Sequence, residues 1–114
     1  MPPTLSDRLH HVLQAIENVE RFLKGKTRQD FDSDQLLRLA VERSLEIISE
    51  ASRRIPADVT GREPQIAWQR MADLGNLLRH AYHDVNPEIL WGIVESDLKP
   101  LKAFAERAMR EEGG

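Results

Sequence analysis

From Leu5 onward the apolar positions recur at Leu9, Val12, Leu13, Ile16, Val19, Phe22 and Leu23. Steps of three and four lay one stripe along one helix face. Thr4 or Ser6 can cap this helix, and Gly25, within the polar connection Lys24 to Asp30, marks its stop. A second helix is predicted from Asp32 or Ser33, with Phe31 placed to staple onto its first turn. It continues through Leu36, Leu37, Ala40, Val41, Ser44, Leu45, Ile48 and Ala51. The segment 52–64, SRRIPADVTGREP, holds two prolines and a glycine and reads as a loop.

The third helix is expected from about Pro64 through Ile66, Ala67, Met71, Leu74, Leu77 and Leu78, fading near Tyr82. The fourth opens with Asn86-Pro87, a cap followed by proline at the first helical position. It carries Ile89, Leu90, Ile93, Val94, Leu98, Leu101, Phe104 and Ala108, with a kink or interruption from Pro100. Nothing alternates with the period of a strand. The fold class is therefore all-α: an antiparallel four-helix bundle with a kinked or broken last helix. At 114 residues the expectation is a single domain, 1–114. Trp91 suits either the core or the edge of a subunit contact.

Charge narrows the function classes. Lys plus Arg number 16 against 19 Asp plus Glu, a net charge of -3. That is the wrong sign for general nucleic-acid affinity by counterion release, so any nucleic-acid role must rest on a local patch. Aromatic residues are 5% of the chain, too sparse for a base-stacking platform. The absence of cysteine excludes disulfides, thiolate metal sites and a cysteine nucleophile. No apolar run is long enough to span a bilayer, and the opening MPPTLSDRLHHVL does not read as a secretory signal, so the expected location is the cytoplasm, with no membrane partner.

One stretch concentrates chemistry: MADLGNLLRHAYHDVNPEILW. At about 100° per residue, Asn76, Arg79, His80 and His83 share roughly a third of the helix circumference, opposite Met71, Leu74, Leu77 and Leu78. A neutral imidazole can take the proton from a ribose 2′-hydroxyl while a guanidinium stabilises charge building on the phosphate, with no metal or other cofactor required. Two other readings stay open: a solvated helix face, and a metal site formed by His80, His83 and Asp84. His10 and His11 are adjacent, so they diverge and read as surface residues. Glu50, near the end of the second helix, reads as an ordinary exposed acid. Tyr82 would emerge about 160° from His80 on a straight helix. The two can share a site only if the helix breaks after His80 or if they meet across a dimer interface.

The pattern Asn76-x-Leu78-x-His80-x-Tyr82, the run from Ile89 and Trp91 through Asp97-Leu98-x-Pro100-Leu101, and Leu45 to Ala51 upstream resemble the HepT-like toxins of the HEPN superfamily. The resemblance implies an all-helical homodimer whose two polar motifs face one cleft, acting as a metal-independent endoribonuclease on RNA. It also implies a minimal nucleotidyltransferase antitoxin that transfers AMP to the motif tyrosine. Carried over, His80 is the catalytic histidine, Tyr82 the AMP acceptor and Asn76 a supporting group, with His83 and Glu50 as further cleft candidates. The family places an arginine five residues before the histidine, where this chain has Gly75, and Arg79 is the substitute at hand. The alternative implied by Gly75 is a weak or inactive dimer that binds a nucleotide or the nucleotidyltransferase. On the first reading, Gly75→Arg is expected to raise cleavage.

Overall fold

The first helix begins where the chain supplies both halves of a cap. Thr4 Oγ1 accepts from the Asp7 N–H at 3.1 Å, and Asp7 Oδ2 accepts from the Thr4 N–H at 2.8 Å, so Thr4 rather than Ser6 is the cap. This helix, α1, spans Leu5–Leu23 in a computed structural model that describes residues 3–80 and 85–113. Gly25 follows it with φ of 75°, a left-handed conformation that is open to a residue without a Cβ.

The polar connection after Gly25 contains a helix that the apolar pattern does not reveal. Thr27 and Asp30 form a second capping box, at 3.0 and 2.9 Å, and α2 spans Arg28–Ser33. Six residues cannot hold a helix in water. Phe31 anchors it: the side chain is fully buried, and its ring lies 5.3 Å from that of half-buried Trp91. Because α2 takes up Asp32 and Ser33, α3 starts later than expected, at Gln35–Arg53, capped by Asp34 Oδ1 accepting from the Leu37 N–H at 3.1 Å.

A four-residue turn, α4 (Ala57–Thr60), lies in the expected loop. The helix α5 spans Trp68–His80, so Pro64 is not in its first turn. Instead, residues 63–67 form turns that bury Ile66, and the Trp68 indole N–H donates to the Glu63 carbonyl at 3.1 Å. Asn86 caps α6 (Pro87–Ser96) as expected. The last helix is broken rather than kinked: α7 resumes at Leu98–Gly113 after Asp97. Pro100 has no N–H for the Ser96 carbonyl, and its ring crowds that oxygen, so the preceding helix ends one turn earlier.

No strand occurs among the described residues, and the all-α class stands. The four expected segments are α1, α3, α5 and the pair α6 and α7, with α2 and α4 as short additions. α1 packs on α3 and α7, α3 also packs on α5 and α2, and α6 packs on α7 and α2. Leu9, Val12, Ile16 and Val19 meet Val41, Leu45, Ile48, Leu101 and Phe104 in the core. Leu36, Leu77 and Ile89 fall outside it, at 79%, 45% and 48% exposed. Their apolar arcs are wider than their neighbouring helices can cover.

The α3–α5 contact is the tightest feature relevant to the polar face. Ser49 is fully buried on α3, and its Oγ donates to the Met71 carbonyl at 2.7 Å. One turn further along α5, Gly75 faces the same hydroxyl: a Cβ there would stand 2.1 Å from Ser49 Oγ and 3.0 Å from Ser49 Cβ. Helix propensity alone favours alanine over glycine by roughly 0.5–1 kcal/mol. The overlap reverses that sign. Gly75→Ala is expected to destabilise the fold by roughly 1–3 kcal/mol, read as a lower urea midpoint; an unchanged or higher midpoint would contradict the contact.

Candidate active site

Side chains on a helix lean back toward its N-terminus, so a long residue covers the turn before its own Cα. Arg79 does this over Gly75. Its Nη1 lies 3.6 Å from where a Gly75 Cβ would be, which places the guanidinium beside the position the resemblance assigns to an arginine at 75. Asn76 Oδ1 accepts from Arg79 Nη2 at 2.7 Å on one side, and Glu50 Oε2 of α3 lies 3.8 Å from Nη1 on the other. The cation is thus steadied by two helices.

Glu50 is therefore not an isolated surface acid. Its Oε1 accepts from Arg54 Nε at 3.1 Å and Nη2 at 2.9 Å, and its Oε2 lies 3.8 Å from Arg53 Nη1. Three guanidiniums surround one carboxylate. The Glu50-x-x-x-Arg54 spacing, four apart on a helix, was readable as a pair in advance. The convergence of Arg79 on it was not, because that contact joins two helices.

His80 is the last residue of α5 and is exposed, about 100° around the helix from Arg79. Asn76 is exposed as well. Asn76, Arg79 and Glu50 come together, with His80 beside them on the solvent side. Tyr82 and His83 lie outside the described residues, as does Asp84 of the metal-site alternative. Among the described residues no group of His, Asp and Glu side chains is placed to hold a metal ion. His10 and His11 are exposed, with ring centres 6.4 Å apart, and do not converge.

The expected benefit of an arginine at 75 does not survive the geometry. Its Cβ alone would stand 2.1 Å from Ser49 Oγ, so Gly75→Arg would either turn that hydroxyl off the Met71 carbonyl or move α3 and α5 apart, and either change disturbs the contact that sets Arg79 against Glu50.

An all-helical bundle that presents an exposed histidine next to a doubly held arginine is the class of protein in question. Residues 12–108 match the family described as Ribonuclease HepT-like, and the chain belongs to that family. It is 40% identical over 101 residues to "Probable ribonuclease HepT" of Thermococcus cleftensis, covering 89% of this chain and 92% of that one. It is 36% identical over 98 residues to "Putative RNase MJ1380" of Methanocaldococcus jannaschii, covering 86% and 90%. A third relative, "Gamma-glutamylcyclotransferase and putative RNase MJ0434" of the same organism, is 33% identical over 103 residues; the match covers 90% of this chain and 46% of that one. No solved structure matches the chain. Among the described residues no helix is long and apolar enough to cross a membrane.

The Arg54 hydrogen bonds, aided by the charges of Arg54, Arg53 and Arg79, hold the Glu50 carboxyl below the ordinary glutamate range, against a smaller opposing effect of desolvation. A depressed folded-state value means that the interaction is complete above the unfolded-state pKa and is lost as pH falls through the folded one. The clamp on Arg79 is therefore intact at neutral pH. In an NMR titration, Glu50 is expected to protonate below ordinary glutamates, and Arg54→Ala should move its midpoint upward. No movement would contradict the assignment of Arg54 as the main cause.

Proposed function

We propose that this protein is a metal-independent endoribonuclease that acts as a homodimer, with His80 as general base and Arg79 as the cation that stabilises the phosphate. The observation that carries the reading is the position of the Arg79 guanidinium over Gly75, held by Asn76 and Glu50. His80 takes the proton from a ribose 2′-hydroxyl, and the 2′-oxygen attacks the adjacent phosphorus. Negative charge grows on the phosphate oxygens, where a fixed guanidinium lowers the barrier most. The P–O5′ bond breaks, leaving a 2′,3′-cyclic phosphate. The departing 5′-oxygen takes a proton from the imidazolium of a second copy.

Membership of the HepT-like ribonuclease family and the names of its relatives support RNA as the substrate. Support for a dimer comes from Leu77 and Ile89, about half exposed across a groove of about 490 Å³ between α5 and α6 whose floor is the buried Leu74 and Ile93 and whose rim carries Arg70, Asp73 and Glu88. In the same reading the protein is the cytoplasmic toxin of a toxin–antitoxin pair. Its partner is a minimal nucleotidyltransferase that silences it by transferring AMP to Tyr82. A bulky anionic adduct two residues from His80 would block the approach of an RNA strand. His83 is a supporting residue of that cleft.

A second reading follows from the sequence departure at Gly75 taken alone: the dimer keeps the fold but serves as a non-catalytic module that binds a nucleotide or the nucleotidyltransferase. One experiment separates the two. Purified protein incubated with RNA in the presence of a chelator is expected to cut it, and His80→Ala to abolish cutting while light scattering still gives a dimer mass. Intact RNA with the wild-type protein, or full activity in the variant, would overturn the first reading. Silencing has its own check: coexpression with the nucleotidyltransferase is expected to add AMP mass to the intact chain and Tyr82→Phe to prevent it. Continued modification of the phenylalanine variant would place the acceptor elsewhere.

A further inference from the structure

Beside Arg79 the surface dips into a groove of about 350 Å³ between α1 and α3. Arg8 and His11, three apart, form its α1 wall, and Arg43 and Glu46, three apart, form its α3 wall. Ile47 and Ala51 continue the α3 side, which ends at Glu50 and Arg79. The groove therefore shares its end with the proposed catalytic cation. Its size is within the range of roughly 300–1,000 Å³ typical of small-ligand sites.

The electrostatics of this groove differ from those of the whole chain. Although the net charge is -3, three arginines line it against two carboxylates, and both carboxylates are engaged by guanidiniums. Glu46 pairs with Arg43, and Glu50 with Arg54 and Arg79. Arg53 and Arg54 add further positive charge at the Glu50 end. This is the local patch that nucleic-acid binding by an acidic chain requires. A groove meant only for an anion would have no use for carboxylates along its wall. Guanidiniums beside an acceptor oxygen suit a ligand with both a phosphate and a hydroxyl donor, and a ribonucleotide has both.

We propose that this groove binds one ribonucleotide unit of the substrate strand, flanking the linkage that is cut, with Arg8 and Arg43 on its phosphate and Glu46 accepting from its 2′-hydroxyl. The proposal rests on the reading of the protein as acting on RNA, and it adds a subsite outside the catalytic residues. The half-buried side chain of Ile47 gives the sugar an apolar edge to lie against, with Ala51 buried behind it. Selection of RNA over DNA would then begin at binding, before the 2′-hydroxyl is needed as nucleophile.

The test uses the full chain carrying His80→Ala, so that RNA stays intact, and a fluorescein-labelled single-stranded RNA followed by anisotropy across a salt series. Adding Arg8→Ala and Arg43→Ala is expected to weaken binding about tenfold and to flatten the log–log salt dependence by about 0.7, the share of one single-strand phosphate. Glu46→Gln is expected to narrow the preference for RNA over a DNA strand of the same sequence. Thermal melts check that each variant remains folded, which the exposure of Arg43 and the partial exposure of Arg8 and Glu46 favour. Failure of the parent to bind RNA, or equal affinity and salt slope in the double arginine variant, overturns the subsite. An unchanged RNA-to-DNA ratio in Glu46→Gln removes the hydroxyl contact. If the wild type fails to cut RNA while the arginine effect is present, the catalytic reading falls and the subsite stands.

Discussion

The close approach of α3 and α5 at Ser49 and Gly75 governs the rest of the candidate site. The Ser49 hydroxyl donates across the interface to the Met71 carbonyl, and the next turn of α5 fits only because residue 75 has no side chain. This fixes the rotation of α5 about its own axis. Met71 and Leu74 then face inward, and Arg79 reaches back over the glycine to Glu50. His80 points to solvent. A side chain at 75 would turn the Ser49 hydroxyl away or separate the helices that bring these groups together. The contact that excludes an arginine at 75 also places the Arg79 guanidinium beside that same position.

Much of the scaffold was legible in the sequence, because its signals are local. The three- and four-residue spacing of Leu9 through Leu23 gives α1, and Asn86-Pro87 gives the start of α6. The second capping box, Thr27-x-x-Asp30, was equally local, but it opens a helix with one buried residue, too short for periodicity to register. The misplaced start of α5 has a similar cause: Ile66 fits the helical spacing, yet it is buried from a turn. Leu36, Leu77 and Ile89 share helices with core residues, and only the positions of neighbouring helices decide which flank stays uncovered.

The site was legible in residue type but not in arrangement. Arg79, His80 and Asn76 could be placed on one helix from spacing alone. Glu50 could not be joined to them, since nothing local links the end of α3 to the end of α5. Gly75 was the least readable of all: along the chain it looks like a missing cation, and in the fold it is a packing requirement. Charge shows the same limit. A net value of -3 describes the whole molecule, whereas the arginines around Glu46 and Glu50 create a basic groove that no sum over the chain predicts.

In the proposed mechanism the cation acts from position 79 because position 75 is closed to it. Moving the guanidinium by one turn tests this most directly, in single-turnover RNA cleavage by the double variant Arg79→Ala, Gly75→Arg compared with the wild type. The expected result is a loss of about a hundredfold or more, of the size seen when a transition-state donor is removed, with no recovery over Arg79→Ala alone. Cleavage restored to near the wild-type rate in the double variant would contradict it.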